Sequence, residues 1–270
     1  MKVFYLGPPK TFSERAAEIL SRDVRIPEPN FQRVALQTAQ TPGAGGVLPY
    51  YNLLEGLIQE SLDLIYEYKF TIHNACRVPV ELCIGGFEGK TIHSHTKALA
   101  QCSDYLGENF PEAALLPEAS TADAARLVRA AGRGMAIASR AALAEQGLDV
   151  LEADIGNRRH GRRNFTDFLL VSADPAPPAG EGPFRTMVAI TPPTDRVGLL
   201  AEILSVIREN HLNIAKIHSR PAIDLVEMAI EPQMFYLEIM SDRKDIQALT
   251  DAFGENTVRI LGSFPALGNS

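Results

Sequence analysis

The chain reads as an α/β protein, a larger segment of alternating strands and helices followed by a smaller βαββαβ segment. Three observations carry that reading. Short apolar runs alternate with stretches whose apolar residues recur at helical spacing, the pattern of strands feeding helices in largely parallel sheets. The stretch ADPAPPAGEGPFR, residues 173–185, has no such periodicity, and its Pro, Ala and Gly content marks a linker. After the linker the order becomes strand, helix, strand, strand, helix, strand.

Met1-Lys2-Val3-Phe4-Tyr5-Leu6 is the first strand and Gly7-Pro8-Pro9 a turn. Thr11 or Ser13 can cap a helix through Ala16, Ala17, Ile19 and Leu20. Gly46-Val47-Leu48-Pro49 is a strand end, followed by a helix from about Leu53 to Ile65. Lys90-Thr91-Ile92-His93 leads into a helix from Thr96 to Leu106. Ser120 is the N-cap of another helix, with Asp123 at the capping-box position. Met135-Ala136-Ile137-Ala138 is a short buried strand. NFTDFLLVS, residues 164–172, is a strand whose apolar part is Phe168 to Val171. In the smaller segment the strands are Thr186–Ile190, Leu212–Arg220, Met234–Ile239 and Val258–Leu261. Leu199, Leu200, Ile203, Leu204 and Ile207 mark one helix, and Asp245 to Phe253 a second. This is the order of a ferredoxin-like sandwich.

With 270 residues, 46% hydrophobic and 22% charged, the chain can bury a sizeable core. A net charge of −7 gives no bulk support for nucleic acid as a partner. Cys76, Cys83 and Cys102 form an odd set without metal-like spacing, which reads as reduced thiols in a cytoplasmic protein. No signal peptide, membrane span or metal is expected.

One residue in the last strand of the larger segment stands out: Asp167 places an acid between Thr166 and Phe168 in an otherwise apolar strand. By itself it reads equally as a solvated residue at a strand start.

Several stretches, in order along the chain, resemble one family. Gly7-Pro8-Pro9-Lys10-Thr11-Phe12-Ser13 with Ala16-Ala17 is similar to Gly-Pro-x-Gly-Thr-Phe-Ser…Ala-Ala. Val47-Leu48-Pro49-Tyr50-Tyr51-Asn52-Leu53-Leu54-Glu55-Gly56 resembles Val-Pro-Ile-Glu-Asn-Ser-x-x-Gly, and Ser94-His95-Thr96-Lys97-Ala98-Leu99-Ala100-Gln101-Cys102 resembles Ser-His-Pro-Gln-Ala-Leu-x-Gln-Cys. Ser120-Thr121-Ala122 and Ala136-Ile137-Ala138-Ser139 match as well. Asn164-Phe165-Thr166-Asp167-Phe168 stands where the family has Asn-x-Thr-Arg-Phe. Gly198-Leu199-Leu200 and Ile217-His218-Ser219-Arg220-Pro221 resemble Gly-Ala-Leu and Ile-Glu-Ser-Arg-Pro. Together these resemble prephenate dehydratase with a C-terminal ACT domain.

The resemblance implies a two-lobed, periplasmic-binding-protein-like catalytic domain over residues 1–173. Lobe one would span about 1–76 and 161–173, lobe two about 77–160, with the site in the cleft between them. A linker, 174–185, and an ACT domain, 186–264, would follow. The implied reaction takes prephenate, or a close analogue, to phenylpyruvate with loss of water and carbon dioxide. Thr166 matches the catalytic threonine that donates to the departing hydroxyl, and Asn52, Ser120 and Thr121 match catalytic cleft residues. Thr11, Ser94, Asp167, Phe168, Lys10 and Tyr51 fall at substrate-binding positions. Three of these depart from the family: Asp167 replaces a carboxylate-binding arginine, Tyr51 a glutamate and Lys10 a glycine. Lys10, Arg158, Arg159, Arg162 and Arg163 are candidates to restore the lost cation. The departures leave three readings: a dehydratase with a relocated cation; a changed substrate or outcome, either arogenate with its ammonium on Asp167 or decarboxylation without dehydration; or a phenylalanine sensor without turnover. Gly198, Leu199, His218, Ser219, Arg220 and Pro221 would bind L-phenylalanine as effector. No cofactor is expected, and family members imply a homodimer or homotetramer.

Overall fold

The computed structural model describes residues 2–157, 161, 163–175, 184–192, 196–221, 233–241, 247–254 and 256–267. Strand β1 (Lys2–Leu6) leads to α1 (Phe12–Leu20), capped by Thr11, whose side chain accepts from the Glu14 N–H. Next come β2 (Val24–Glu28), α2 (Phe31–Gln40), β3 (Gly45–Asn52), β4 (Gly56–Leu57) and α3 (Gln59–Glu67). The helix expected from Leu53 thus starts only at Gln59. The Asn52 side-chain oxygen accepts from the N–H groups of Leu54 (2.9 Å) and Glu55 (3.2 Å), and that local turn displaces the helix start.

β5 (Thr71–Pro79) is followed by β6 (Cys83–Gly86), β7 (Thr91–His95), α4 (Thr96–Gln101) and α5 (Ser103–Asn109). The single helix expected over 96–106 is therefore two, divided at the buried Cys102. Then come β8 (Ala114–Glu118), α6 (Thr121–Ala131), β9 (Met135–Ala138), α7 (Arg140–Glu145), β10 (Val150–Glu152) and β11 (Phe165–Ser172). The smaller segment runs β12 (Phe184–Ile190), α8 (Leu199–Glu209), β13 (Asn213–Pro221), β14 (Gln233–Ser241), α9 (Gln247–Phe253) and β15 (Val258–Pro265).

These strands form two mixed sheets, not largely parallel ones. β1 is parallel to β2 and β3, but β11 runs antiparallel to both neighbours, β3 and β5. It is the returning strand: the chain leaves after β5, builds the five-stranded sheet β10-β6-β9-β7-β8, and comes back through β11. The two crossings run side by side, with the Val80 N–H donating to the Asn164 carbonyl at 2.9 Å. β5 continues to Pro79, so Arg77 belongs to the larger sheet, beyond the lobe boundary expected near residue 76.

The smaller segment does not keep a sheet of its own. The order β13-β14-β12-β15 continues into β5-β11-β3-β1-β2, through Gly262 of β15 paired with Ile72 of β5. Gly262 has φ +138°, and a Cβ there would lie 2.3 Å from the Ile72 carbonyl oxygen, so only glycine permits the join. The core is likewise shared. Leu48, Tyr50, Leu62 and Leu169 pack in one cluster with Met187, Tyr236, Leu261 and Phe264, each large apolar side chain contributing about 1.5–3 kcal/mol.

Candidate active site

A cavity of about 760 Å³ opens between the two sheets. Thr11, Pro49, Asn52, Thr166 and Phe168 line it from the ten-stranded side, and His95, Lys97, Ser120 and Thr121 from the other. The volume suits a small organic ligand.

At its floor β11 pairs with β3, bringing Thr166 opposite Asn52. The Asn52 amide donates to Thr166 Oγ1 at 2.9 Å and to the Phe165 carbonyl at 3.2 Å, while its oxygen holds the turn at Leu54 and Glu55. All the bonding capacity of Asn52 is spent in fixing itself and Thr166. Because the Thr166 oxygen already accepts from an amide, its own O–H is left to donate into the cavity. Phe168, two residues along the same face and 2% exposed, gives the floor an apolar wall.

Two helix N-termini meet the cavity. Thr11 caps α1, its hydroxyl also bonding the Leu6 carbonyl at 3.4 Å. Ser120 caps α6 as expected: its hydroxyl accepts from the Asp123 N–H at 3.0 Å and donates to the Asp123 carboxylate at 2.9 Å. The Ser120 hydroxyl is thereby committed; what α6 offers a ligand is its first-turn backbone N–H groups beside Thr121. Both ends favour anions.

Four expected binding residues lie elsewhere. Asp167 is fully buried on the opposite face of β11, because side chains alternate along a strand and its neighbours Thr166 and Phe168 take the cavity side. It sits across from Arg77 of β5, which grips it with two hydrogen bonds of 2.7 and 3.0 Å and stacks on the Phe165 ring at 3.6 Å. Asp167 therefore cannot receive a substrate ammonium. Tyr51 also faces away. The pairing of β11 with β3 slips between Asp167 and Phe168, skipping Tyr50, and this bulge turns Tyr50 and Tyr51 together to the far side, where Lys216 lies over both rings. Ser94 is buried and donates to the Ile137 carbonyl at 2.6 Å. Lys10 has φ +66° and is exposed outside the cavity lining; its N–H donates to Glu14 and its carbonyl accepts from Ser139.

Of the other cations weighed for the missing arginine, Arg163 pairs with Asp154 at 3.0 Å away from the cavity. Arg158, Arg159 and Arg162 lie outside the described residues. Lys97 and Glu55, within two of the matching stretches, do line the cavity, and sequence reasoning passed over them. Lys97 stands where the family pattern has a neutral glutamine, which was the available signal. His95, beside it, caps α4.

Behind the floor lies a buried polar cluster. Glu238 of β14 accepts from Lys216 (2.6 Å), Tyr50 (3.2 Å) and Arg185. Burial pushes the Lys216 ammonium below its ordinary pKa, against the pull of Glu238, and burial raises the Tyr50 phenol, with Glu238 adding to it. Burial also pushes the Cys76 and Cys102 thiols up to about 12, so neither is a nucleophile at neutral pH. Among the described residues no cluster of His, Cys, Asp and Glu could hold a metal ion.

In the smaller segment Gly198, with φ +87°, starts α8 and Leu199 is its buried first residue. His218, Ser219, Arg220 and Pro221 end β13, and Ser219, Phe235 and Ile190 stand in a row across three strands at that end of the sheet. Arg220 turns inward and pairs with Asp63 of α3.

The sequence and the fold have known counterparts. The family described as prephenate dehydratase matches residues 3–176. A bifunctional chorismate mutase/prephenate dehydratase of Neisseria gonorrhoeae is 30% identical, over 98% of this chain and 74% of that protein. Arogenate dehydratase 2 of Petunia hybrida is 28% identical, over 98% of this chain and 72% of that protein. The crystal structure of a prephenate dehydratase of Arthrobacter aurescens in complex with L-Phe superposes with a TM-score of 0.85 at 27% identity, covering 98% of this chain and 90% of that one. With the family match running over residues 3–176, nearly two thirds of its length, the chain belongs to the prephenate dehydratase family.

Proposed function

We propose that the chain converts prephenate to phenylpyruvate, releasing carbon dioxide and water. The observation that carries the reading is the Asn52–Thr166 pair, which aims a hydroxyl proton into a cavity flanked by two anion-favouring helix ends. The ring carboxylate leaves as carbon dioxide, its bonding pair moves into the ring, and the C–O bond to the ring hydroxyl breaks. Thr166 hands its proton to the departing oxygen, which leaves as water, and is reprotonated from solvent. Aromatisation drives the step, so positioning and charge suffice without a cofactor. Incubation with prephenate and identification of the product by absorbance and mass tests this. Phenylpyruvate is expected; a non-aromatic decarboxylated acid, or no product, refutes it. Thr166→Val should lower kcat by about 10²–10⁴, the usual contribution of a positioned general acid, with KM little changed.

The acids Glu28, Glu55 and Asp123 along the cavity favour one second reading, arogenate, whose ammonium they would suit. The arogenate dehydratase among its relatives supports that substrate too, and parallel assays separate the two.

We assign residues 186–264 as an ACT regulatory domain that binds L-phenylalanine near Gly198, Leu199 and the His218–Pro221 end of β13. The βαββαβ order and the L-Phe bound to the similar Arthrobacter protein support this. Equilibrium dialysis tests it, and absence of binding at millimolar phenylalanine refutes it. Edge strand β13, with Ile217 exposed, supports assembly as a homodimer or homotetramer, measurable by light scattering. Three free, buried thiols support a reducing, cytoplasmic setting.

A further inference from the structure

We propose that Lys97 is the residue that receives a substrate carboxylate in the cavity, with Glu55 as the carboxylate it holds between turnovers. The inference rests on the dehydratase reading above and names the cation that reading lacks. Prephenate carries two carboxylates, and two helix ends alone offer only partial charges. The position expected to supply an arginine holds Asp167, which faces away and keeps Arg77 with it. Among the described residues lining the cavity, Lys97 is the only lysine or arginine.

Its present partner is itself a carboxylate. Lys97 Nζ lies 2.6 Å from Glu55 Oε2, and Gln101 Nε2 donates to Glu55 Oε1 at 3.1 Å. Glu55 follows β3 on one side of the cavity, while Lys97 and Gln101 stand on α4 on the other. The Glu55 N–H is held by the Asn52 oxygen at 3.2 Å, the same Asn52 that fixes Thr166. The carboxylate seat on Lys97 is thus registered to the proton donor through one side chain. The Lys97 and Glu55 side chains are 66% and 34% exposed, so their ion pair is solvated and exchangeable, unlike the sealed Arg77–Asp167 pair. A substrate carboxylate can take the place of Glu55 without stranding a buried charge.

Steady-state kinetics of Lys97→Gln, Lys97→Arg and Glu55→Gln test this, with thermal melts by circular dichroism to establish folding. Lys97→Gln should raise KM about tenfold to a hundredfold, the span of one charge-assisted hydrogen bond, with kcat within a few-fold. Lys97→Arg should restore most of the KM, and Glu55→Gln, by removing the competitor, should leave KM unchanged or lower it. An unchanged KM in Lys97→Gln overturns the proposal. So does a Glu55→Gln variant whose KM rises as much as that of Lys97→Gln, since the pair would then only join the two sides. Should the wild type turn over neither prephenate nor arogenate, the dehydratase reading fails, and calorimetric binding of phenylpyruvate decides Lys97 separately. Weaker binding by Lys97→Gln supports the role; equal binding, or none by the wild type, overturns it.

Discussion

Replacing Asp167 by alanine should be among the most damaging single changes in the chain, and the damage should fall on stability. Asp167 is fully buried and Arg77 is 14% exposed at its side chain. Removing the carboxylate strands a guanidinium with two N–H groups directed at nothing. Breaking a buried pair from one side costs about 3–5 kcal/mol. The Phe165 ring, 3.6 Å from the guanidinium carbon, remains and offsets part of this by cation–π attraction of about 0.5–2 kcal/mol, leaving about 3 kcal/mol. For a domain of this size that is a fall in Tm of roughly 6–12 °C. Urea unfolding followed by far-ultraviolet circular dichroism measures the difference directly. Arg77→Ala, which strands the more deeply buried partner, should cost at least as much. The double variant Arg77→Met/Asp167→Leu should recover most of the loss, because an apolar replacement leaves no orphaned charge. At a temperature where all variants stay folded, Asp167→Asn should keep the wild-type KM. A loss below about 0.5 kcal/mol in Asp167→Ala, within the range of ordinary surface substitutions, would refute the reasoning.

Glu238→Ala should cost about 3–5 kcal/mol in the same assay, since Lys216 and Arg185 would share a buried site with no anion; a loss near zero would show the cluster to be hydrated. His73, bonded to Ser172 at 2.7 Å, has its pKa lowered by burial, partly countered by Asp174. The unfolded chain then binds a proton more readily than the folded one. The His73 contribution is complete above about pH 6.5 and is lost as pH falls toward the folded value. Melting curves from pH 7.5 to 5.5 should show the wild type losing more Tm than His73→Gln, and parallel curves would contradict this. Gly262→Ala should destabilise by several kcal/mol, because its Cβ would meet both the Ile72 carbonyl and amide at a φ that alanine rarely adopts; native-like unfolding would mean the join at β5 is dispensable.

The stretch NFTDFLLVS shows how far the sequence reaches. The strand, its apolar run and the chemical promise of Thr166 are all legible there, since period-two burial and motif spacing are local properties. The direction of Asp167 was legible too: if Thr166 and Phe168 face a cavity, the residue between them does not. Its partner was not, because Arg77 lies far off in the chain and is brought opposite only by the pairing of β11 with β5. Tyr51 failed for a different reason. Alternation from Asn52 puts Tyr51 on the far side, but a skipped residue at Tyr50 upsets any count along the whole strand, and a bulge leaves little trace in composition. Ser94 shows the limit of motif matching: within a stretch that resembles the family pattern, it is buried and spends its hydroxyl on the Ile137 carbonyl inside the five-stranded sheet.

The junction at Gly262 bears on how this protein can be handled. Severing the chain after residue 176, where the family match ends, would not yield a smaller version of the same enzyme. It would break the Gly262–Ile72 pairing and open that stretch of the β5 edge, the kind of site that recruits other chains. It would also uncover Tyr50, Leu62 and Leu169, stripped of Met187, Tyr236 and Phe264. The expected product is an aggregating fragment, and supplying residues 184–267 in trans should return it to solution, because that segment is in effect the lid on the larger segment's own core.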